Sequence, residues 1–143
     1  MTSWGKIDCT LTVPLGGNGT HSVNRQELAA WLRKIAGDGR SRAASQVEAV
    51  AAAVEAADGD VAVAHVVMSA EDAEGVIFDV DKLLDRAMNP AAGLSRDEVL
   101  SHRAAAYGLH RFRRAWVDCT GWNQLRRARD SYGAAVPGSG YAR

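Results

Sequence analysis

Hydrophobic and polar residues alternate without a break from Gly5 to Val13. A period of two is typical of a strand that buries one face. The apolar face would carry Ile7, Cys9, Leu11 and Val13, and the polar face Lys6, Asp8, Thr10 and Thr12. Pro14 ends the pattern, because proline lacks the N–H group that a continuing central strand needs. The sequence therefore predicts a half-buried strand, followed by a glycine-rich connection.

Two helices are predicted between Asn24 and Ala57. The first begins at Asn24, which suits an N-cap, with Glu27 three residues later as in a capping box. Apolar residues then recur at helical spacing as far as Gly37, a residue type that commonly ends helices. The second helix, from about Ser41, has only a thin stripe of valines among alanines.

The middle of the chain favours two more strands. Val61–Met68 is a dense run of β-branched and apolar residues, which is typical of a buried strand. Ser69–Gly75 is acidic and predicts a loop, and Val76–Val80 is a second, shorter apolar run. We therefore expect the two runs to pair as a hairpin. A short helix should follow and end before Pro90, because a residue that precedes proline disfavours the helical conformation.

The C-terminal part predicts helices. Ser95 repeats the start signal of the first helix, with Glu98 three residues later, and the helix runs to about Gly108 or continues through it. Apolar positions at helical spacing are Leu109, Phe112, Trp116 and Cys119 and, after an interruption, Trp122, Leu125, Ala128 and Tyr132. Since Trp31 and Trp116 both lie on apolar helical stripes, we expect both to anchor the core.

Together these elements predict a single α+β domain over residues 1–132, with a flexible tail over residues 133–143. The length of 143 residues suits one domain. An apolar content of 47% and a charged content of 24% are ordinary for a globular chain. We expect a three-stranded mixed or antiparallel sheet, covered mainly on one face by about five helices, with a helix-rich C-terminal half.

The chain has no net charge, yet its charges are separated along the sequence. Six basic residues stand against three acidic ones over residues 1–42, two against ten over 43–88, and nine against four over 89–143. Such asymmetry creates oriented fields that select partners. The leading hypothesis is a non-enzymatic binding or assembly protein, which acts through segregated acidic and basic surfaces on a protein partner or on itself.

Arginines and aromatic residues are interleaved in the basic C-terminal part. Guanidinium groups pair with phosphates, and aromatic rings stack on unpaired bases. The candidate residues for binding a partner or a nucleic acid are Arg103, Arg111, Arg113, Arg114, Trp122, Arg126, Arg127 and Arg129. A solvated basic helix face that pairs with the acidic middle of the same chain is the simpler interpretation of the pattern. Because the whole chain is neutral, nucleic-acid binding is the alternative hypothesis and not the leading one.

The glycine-rich connection is a candidate anion-binding loop, because backbone amides between a strand and a helix can cradle a phosphate. Its residues are Gly16, Gly17, Asn18, Gly19 and Thr20. They match neither the mononucleotide loop, which needs a Lys-Ser/Thr pair, nor the dinucleotide glycine pattern. A turn that needs positive φ is the simpler interpretation. A small enzyme or small-molecule binder with its site beside this loop stays a third hypothesis.

No catalytic residue, metal site or cofactor is assigned from the sequence. His102 and His110 are eight residues apart, which leaves them about 80° apart around a helix, a poor arrangement for metal ligands. Asp79 and Asp81 resemble an acid–base pair at a strand end, but helix capping by aspartate is much commoner.

The expected location is the cytoplasm. The first residues lack the pattern of a secretory signal, and no apolar run is long enough to span a membrane. Cys9 and Cys119 are therefore expected to be reduced, mostly buried thiols. The preference for alanine, arginine and glycine indicates a bacterial or phage source.

Overall fold

The computed structural model describes residues 6–16, 23–37 and 43–122. In this part of the chain, helices pack against one face of a two-stranded antiparallel sheet, so the α+β class is confirmed. The elements in chain order are β1 (Lys6–Pro14), α1 (Arg25–Gly37), α2 (Ala44–Ala56), β2 (Val61–Ser69), α3 (Ala70–Met88) and α4 (Arg96–Thr120). The expected third strand is wrong. Of the five expected helices, four are present in the described residues, and most of the fifth, like the tail 133–143, lies outside them.

The strands β1 and β2 pair over their full lengths, with Lys6 opposite Ser69 and Pro14 opposite Val61. Just beyond the strands, the Leu15 N–H donates to the Asp60 carbonyl at 2.6 Å, which continues the same register. The alternation expected for β1 is confirmed. The polar residues of its outer face are exposed, and the apolar residues of its inner face pack towards the helices.

The expected strand Val76–Val80 is part of α3, so the predicted hairpin does not exist. The Ser69 hydroxyl accepts a hydrogen bond from the Asp72 N–H at 3.1 Å and caps the helix. The acidic residues that suggested a loop, Glu71 and Asp72, lie in the first turn of α3, where carboxylates stabilise the positive end of the helix dipole. A short apolar run is compatible with either a strand or a helix. Here the Ser69 cap starts a helix that includes this run.

The helix α4 runs without interruption through Gly108. The hydroxyl and the N–H group of Ser95 form a complete capping box with Glu98, as the sequence predicts. A Cβ atom on Gly108 would lie 3.2 Å from the Leu28 Cβ, so glycine lets α4 approach α1 closely. Gly121 ends the helix in the left-handed conformation, with a φ of 66°.

The Asn24 carboxamide oxygen accepts a hydrogen bond from the Glu27 N–H at 3.0 Å, which confirms the expected cap of α1.

The helices α1 and α2 are joined by side chains at their surface. Arg33 on α1 bridges Glu48 and Glu55 on α2 at 3.1 and 2.7 Å. Hydrogen bonding to this guanidinium lowers the pKa of the Glu55 carboxyl.

The hydrophobic core lies between the sheet and the helices. Trp116 is completely buried and Trp31 is 5% exposed, so both expected core anchors are confirmed. The Trp116 indole N–H donates to the Ala73 carbonyl at 3.0 Å and thereby ties α4 to α3. Trp31 lies edge-on to His102 of α4, with ring centroids 5.3 Å apart.

Cys9 and Cys119 form a disulfide, with Cα atoms 6.0 Å apart. The expectation of two reduced thiols is therefore wrong. Cys9 lies on the inner face of β1 and Cys119 in the last turn of α4, which packs on β1. The pairing depends on this tertiary contact, across a sequence separation of 110, so local sequence patterns carried no sign of it.

Candidate interaction surface of helix α4

Arg111, one of the candidate binding residues, is used inside the fold. Its guanidinium donates to the carbonyls of Gly16 and Pro14, at 2.5 and 3.2 Å, and to the Tyr107 hydroxyl. It also lies 4.6 Å from the centre of the Tyr107 ring. Arg111 therefore holds the end of β1 against α4 and commits three of its five N–H donors to the fold.

Arg113 is also engaged within the chain. Its Nε atom lies 2.7 Å from Oδ1 of Asp81 on α3. This ion pair joins the basic C-terminal part to the acidic middle, as expected from the hypothesis of internal pairing. At this point the acidic and basic residues meet and are not segregated.

Arg103 and Arg114 differ from these two. Both are exposed, and neither makes a hydrogen bond or ion pair with any other residue that the structure describes. They lie on the solvent side of α4 in a row spaced alternately by four and three residues. This α4 outer row consists of Arg96, Leu100, Arg103, Tyr107, His110 and Arg114. Its residues are exposed except Tyr107, which is half-buried, and Leu100 is a 50% exposed apolar side chain within it.

The α4 outer row has the dimensions of a helix-binding surface. A spacing of four and three residues places all six side chains on one narrow stripe. At 1.5 Å per residue, the row is about 27 Å long. Two of its six members, Arg103 and Arg114, are among the candidates expected from the sequence. The regular spacing that links the other four to them is also visible in the sequence.

Of the remaining candidates, only Trp122 is described. It is half-buried and packs against the core at the end of α4, so it contributes to packing. Arg126, Arg127 and Arg129 lie outside the described residues.

The glycine-rich loop is described only at Gly16. The Gly16 N–H donates to the Asp60 carbonyl at 3.2 Å, and its carbonyl accepts from Arg111. A Cβ atom on Gly16 would lie 3.2 Å from the side chain of Asp60, which is exposed and would have to shift slightly to accept it. Its amide is already occupied by the fold, and Gly17, Asn18, Gly19 and Thr20 lie outside the described residues.

Strand pairing brings together three side chains that the sequence analysis did not connect. His65 Nε2 lies 2.9 Å from Asp8 Oδ1, and Thr10 Oγ1 is 3.5 Å from His65 Nδ1. The order of hydroxyl, imidazole and carboxylate is that of a nucleophilic triad. However, the side chains of His65 and Asp8 are 59% and 66% exposed on the open sheet face, whereas such chemistry depends on a site that excludes water. The group is best described as an exposed polar contact between the two strands.

A cleft of about 750 Å³ lies between the end of α1 and the outer side of α3. Phe78 stands at its edge with 56% of its surface exposed. The charged residues that line the cleft are Lys34, Lys82 and Arg86 and, with the opposite sign, Glu71, Asp72 and Asp79. With three cationic and three acidic side chains in its lining, the cleft has no net charge that would favour an anion or a cation.

The described residues do not support a metal site or a carboxyl group activated for catalysis. They contain no cluster of His, Cys, Asp and Glu that could hold a metal ion. The pKa of Glu98 is lowered by hydrogen bonds from Ser95, and that of Glu55 by Arg33, and both are structural contacts. No described helix is long and apolar enough to cross a membrane.

No family model, curated protein or solved structure matches this chain. The assignment of a function therefore rests on its surfaces alone.

The internal and free arginines are expected to differ in their effect on stability. Replacing Arg111 with Ala should lower the free energy of unfolding by about 1–3 kcal/mol, because two carbonyls lose a charged donor. Arg103→Ala and Arg114→Ala should each change it by less than about 0.5 kcal/mol. Urea denaturation of the three variants measures the difference, and equal losses would contradict the distinction.

Proposed function

We propose that the chain is a non-enzymatic binding protein whose α4 outer row packs along an acidic, helical segment of a protein partner. The observation that carries this proposal is the exposed, evenly spaced row itself, in which Arg103 and Arg114 are without partners among the described residues. Guanidinium groups pair with carboxylates in well-defined geometry, and a four-and-three spacing is the one by which two helices pack side by side.

A protein partner fits this surface better than a nucleic acid does. Leu100 interrupts the basic positions of the row with an exposed apolar side chain, which suits a partner's apolar contact and not a phosphate backbone. Two of the candidate arginines, Arg111 and Arg113, are already committed within the fold.

A bacterial or phage source and a cytoplasmic location remain proposals from the sequence. Composition supports the first. The second is weakened by the disulfide between Cys9 and Cys119, because disulfides persist mainly in oxidising compartments. The proposed binding function requires neither.

The test is the binding of a synthetic amphipathic peptide that carries glutamates along one helical face. Fluorescence anisotropy of the labelled peptide measures the dissociation constant at low and high salt, with a single-stranded oligonucleotide as the second probe. Two reversed charges replace attraction with repulsion, so Arg103→Glu/Arg114→Glu should weaken peptide binding by about tenfold or more.

The control is Lys82→Glu/Arg86→Glu, which makes the same change of charge at two exposed positions of α3. It should leave the affinity for the peptide within about twofold. If both double variants weakened peptide binding equally, the loss of affinity would come from the net charge of the protein and not from the α4 outer row. Salt-sensitive binding of the oligonucleotide, without binding of the peptide, would replace the proposal with nucleic-acid recognition.

A further inference from the structure

The outward edges of the two strands follow from their register. Since the Leu15 N–H bonds to the Asp60 carbonyl, the pair next to it is not hydrogen-bonded, and the two kinds of pair alternate along the ladder. Val61, Val63 and His65 therefore lie in non-hydrogen-bonded pairs with β1. Their N–H and C=O groups point away from β1, towards the outer edge of β2.

Two edge groups of the sheet already have partners. The Gln46 side-chain oxygen accepts from the Val67 N–H at 2.9 Å, and Arg111 donates to the Pro14 carbonyl. The first contact confirms the alternation, because Val67 also belongs to a non-hydrogen-bonded pair. The edge groups of Val61, Val63 and His65 make no hydrogen bond to any described residue.

The two edges differ in their chemistry. The edge of β1 carries Lys6, Asp8 and Pro14, which are the residue types that protect a strand from pairing with another chain. The segment Val61–His65 of β2 has no proline, lysine or carboxylate. Val61 and Val63 are 48% and 54% exposed. An exposed β-branched edge of this kind is a template for another strand.

We propose that β2 pairs antiparallel with β2 of a second copy of this chain, about a two-fold axis at Val63. In this register Val63 faces Val63 of the partner subunit, and Val61 faces His65 of the partner subunit. All three are edge-directed positions, so each facing pair can exchange two hydrogen bonds.

The register is self-complementary in two respects. No two side chains of like charge face each other in it. Both copies also use the same surface, as a closed dimer with two-fold symmetry requires. Pairing stops at Val67, where Gln46 already occupies the N–H. The product is a four-stranded sheet in the order β1-β2-β2-β1, which is larger than the two-stranded ribbon that is marginal by itself.

The test compares two proline variants. Val63→Pro removes an edge-directed N–H that the β1–β2 ladder does not use, and Thr12→Pro makes the matching change on the edge of β1, directly across from it. Sedimentation equilibrium over a range of concentrations should show a dimer for the wild-type chain and for Thr12→Pro. The Val63→Pro variant should be a monomer, and circular dichroism checks that both variants are folded.

A second pair, Val63→Lys and Thr12→Lys, keeps the test valid if a proline variant does not fold. A monomeric wild-type chain, a dimeric Val63→Pro, or equal loss of dimer in both members of a pair would overturn the proposal. Hydrogen exchange distinguishes pairing with a second copy from coverage of the edge by another segment of the same chain. Protection of the Val63 amide that is independent of protein concentration means that another segment of the same chain covers the edge, which also overturns it.

This surface lies on β2 and not on the α4 outer row, so the two proposals fail separately. Arg103→Glu/Arg114→Glu should weaken peptide binding by about tenfold or more and leave the dimer intact. Loss of the dimer in that variant would assign self-association to α4 and overturn the pairing of β2.

Discussion

Reduction of the disulfide between Cys9 and Cys119 should lower the free energy of unfolding by up to about 5 kcal/mol. The bond closes a loop across a separation of 110 residues, and the loss of unfolded-state entropy grows with the length of the loop. Domains of this size are stable by only about 5–15 kcal/mol. The reduced protein should therefore be close to the limit of stability.

Guanidinium denaturation with and without dithiothreitol measures this loss. The double variant Cys9→Ala/Cys119→Ala is the control, since its stability should match that of the reduced wild type and should not respond to the reductant. Mass spectrometry after thiol alkylation gives an independent check. Two alkylated cysteines in the protein as purified, with no effect of the reductant, would contradict the pairing.

The disulfide also bears on the proposed binding surface. It fastens the last turn of α4, the helix that carries the α4 outer row, to β1. Arg111 holds the same helix to the end of β1 about two turns earlier. The row is therefore presented by a helix that is fixed at two points. A surface fixed in this way loses little conformational entropy when a partner binds.

Local signals in the sequence predicted the helix starts, and they failed where a short run was ambiguous. Asn24 and Ser95 cap α1 and α4 as expected, because capping needs only residues a few positions apart. By its apolar composition alone, Val76–Val80 favours a strand. Its true environment was set by Ser69, whose capping bond to Asp72 starts a helix through the acidic segment.

Contacts between distant segments could not be predicted in this way. The partner of Cys9 and the carbonyls that Arg111 reaches depend on where β1 ends relative to α4, which no local pattern encodes. The same limit applied to the candidate arginines. Arg111 and Arg114 are alike in sequence context, and only the fold shows that one is a structural clamp and the other is exposed.

Replacement of Trp116 with Ala should lower the free energy of unfolding by about 3–5 kcal/mol. The side chain is completely buried, and its ring packs against Phe112 with centroids 5.4 Å apart. Truncation leaves a cavity between α4 and α3 and removes the hydrogen bond to the Ala73 carbonyl. Both losses act on the same contact between the two helices.

Two further variants separate these contributions in a urea denaturation series. Trp116→Phe keeps an aromatic ring in the site but loses the indole N–H, and should cost about 1–2 kcal/mol. Leu100→Ala, at a half-exposed position of the same helix, should cost less than about 1 kcal/mol. If Trp116→Ala were no worse than Leu100→Ala, α4 would not pack on α3 through this face, and the outer row on its opposite side would lose its structural basis.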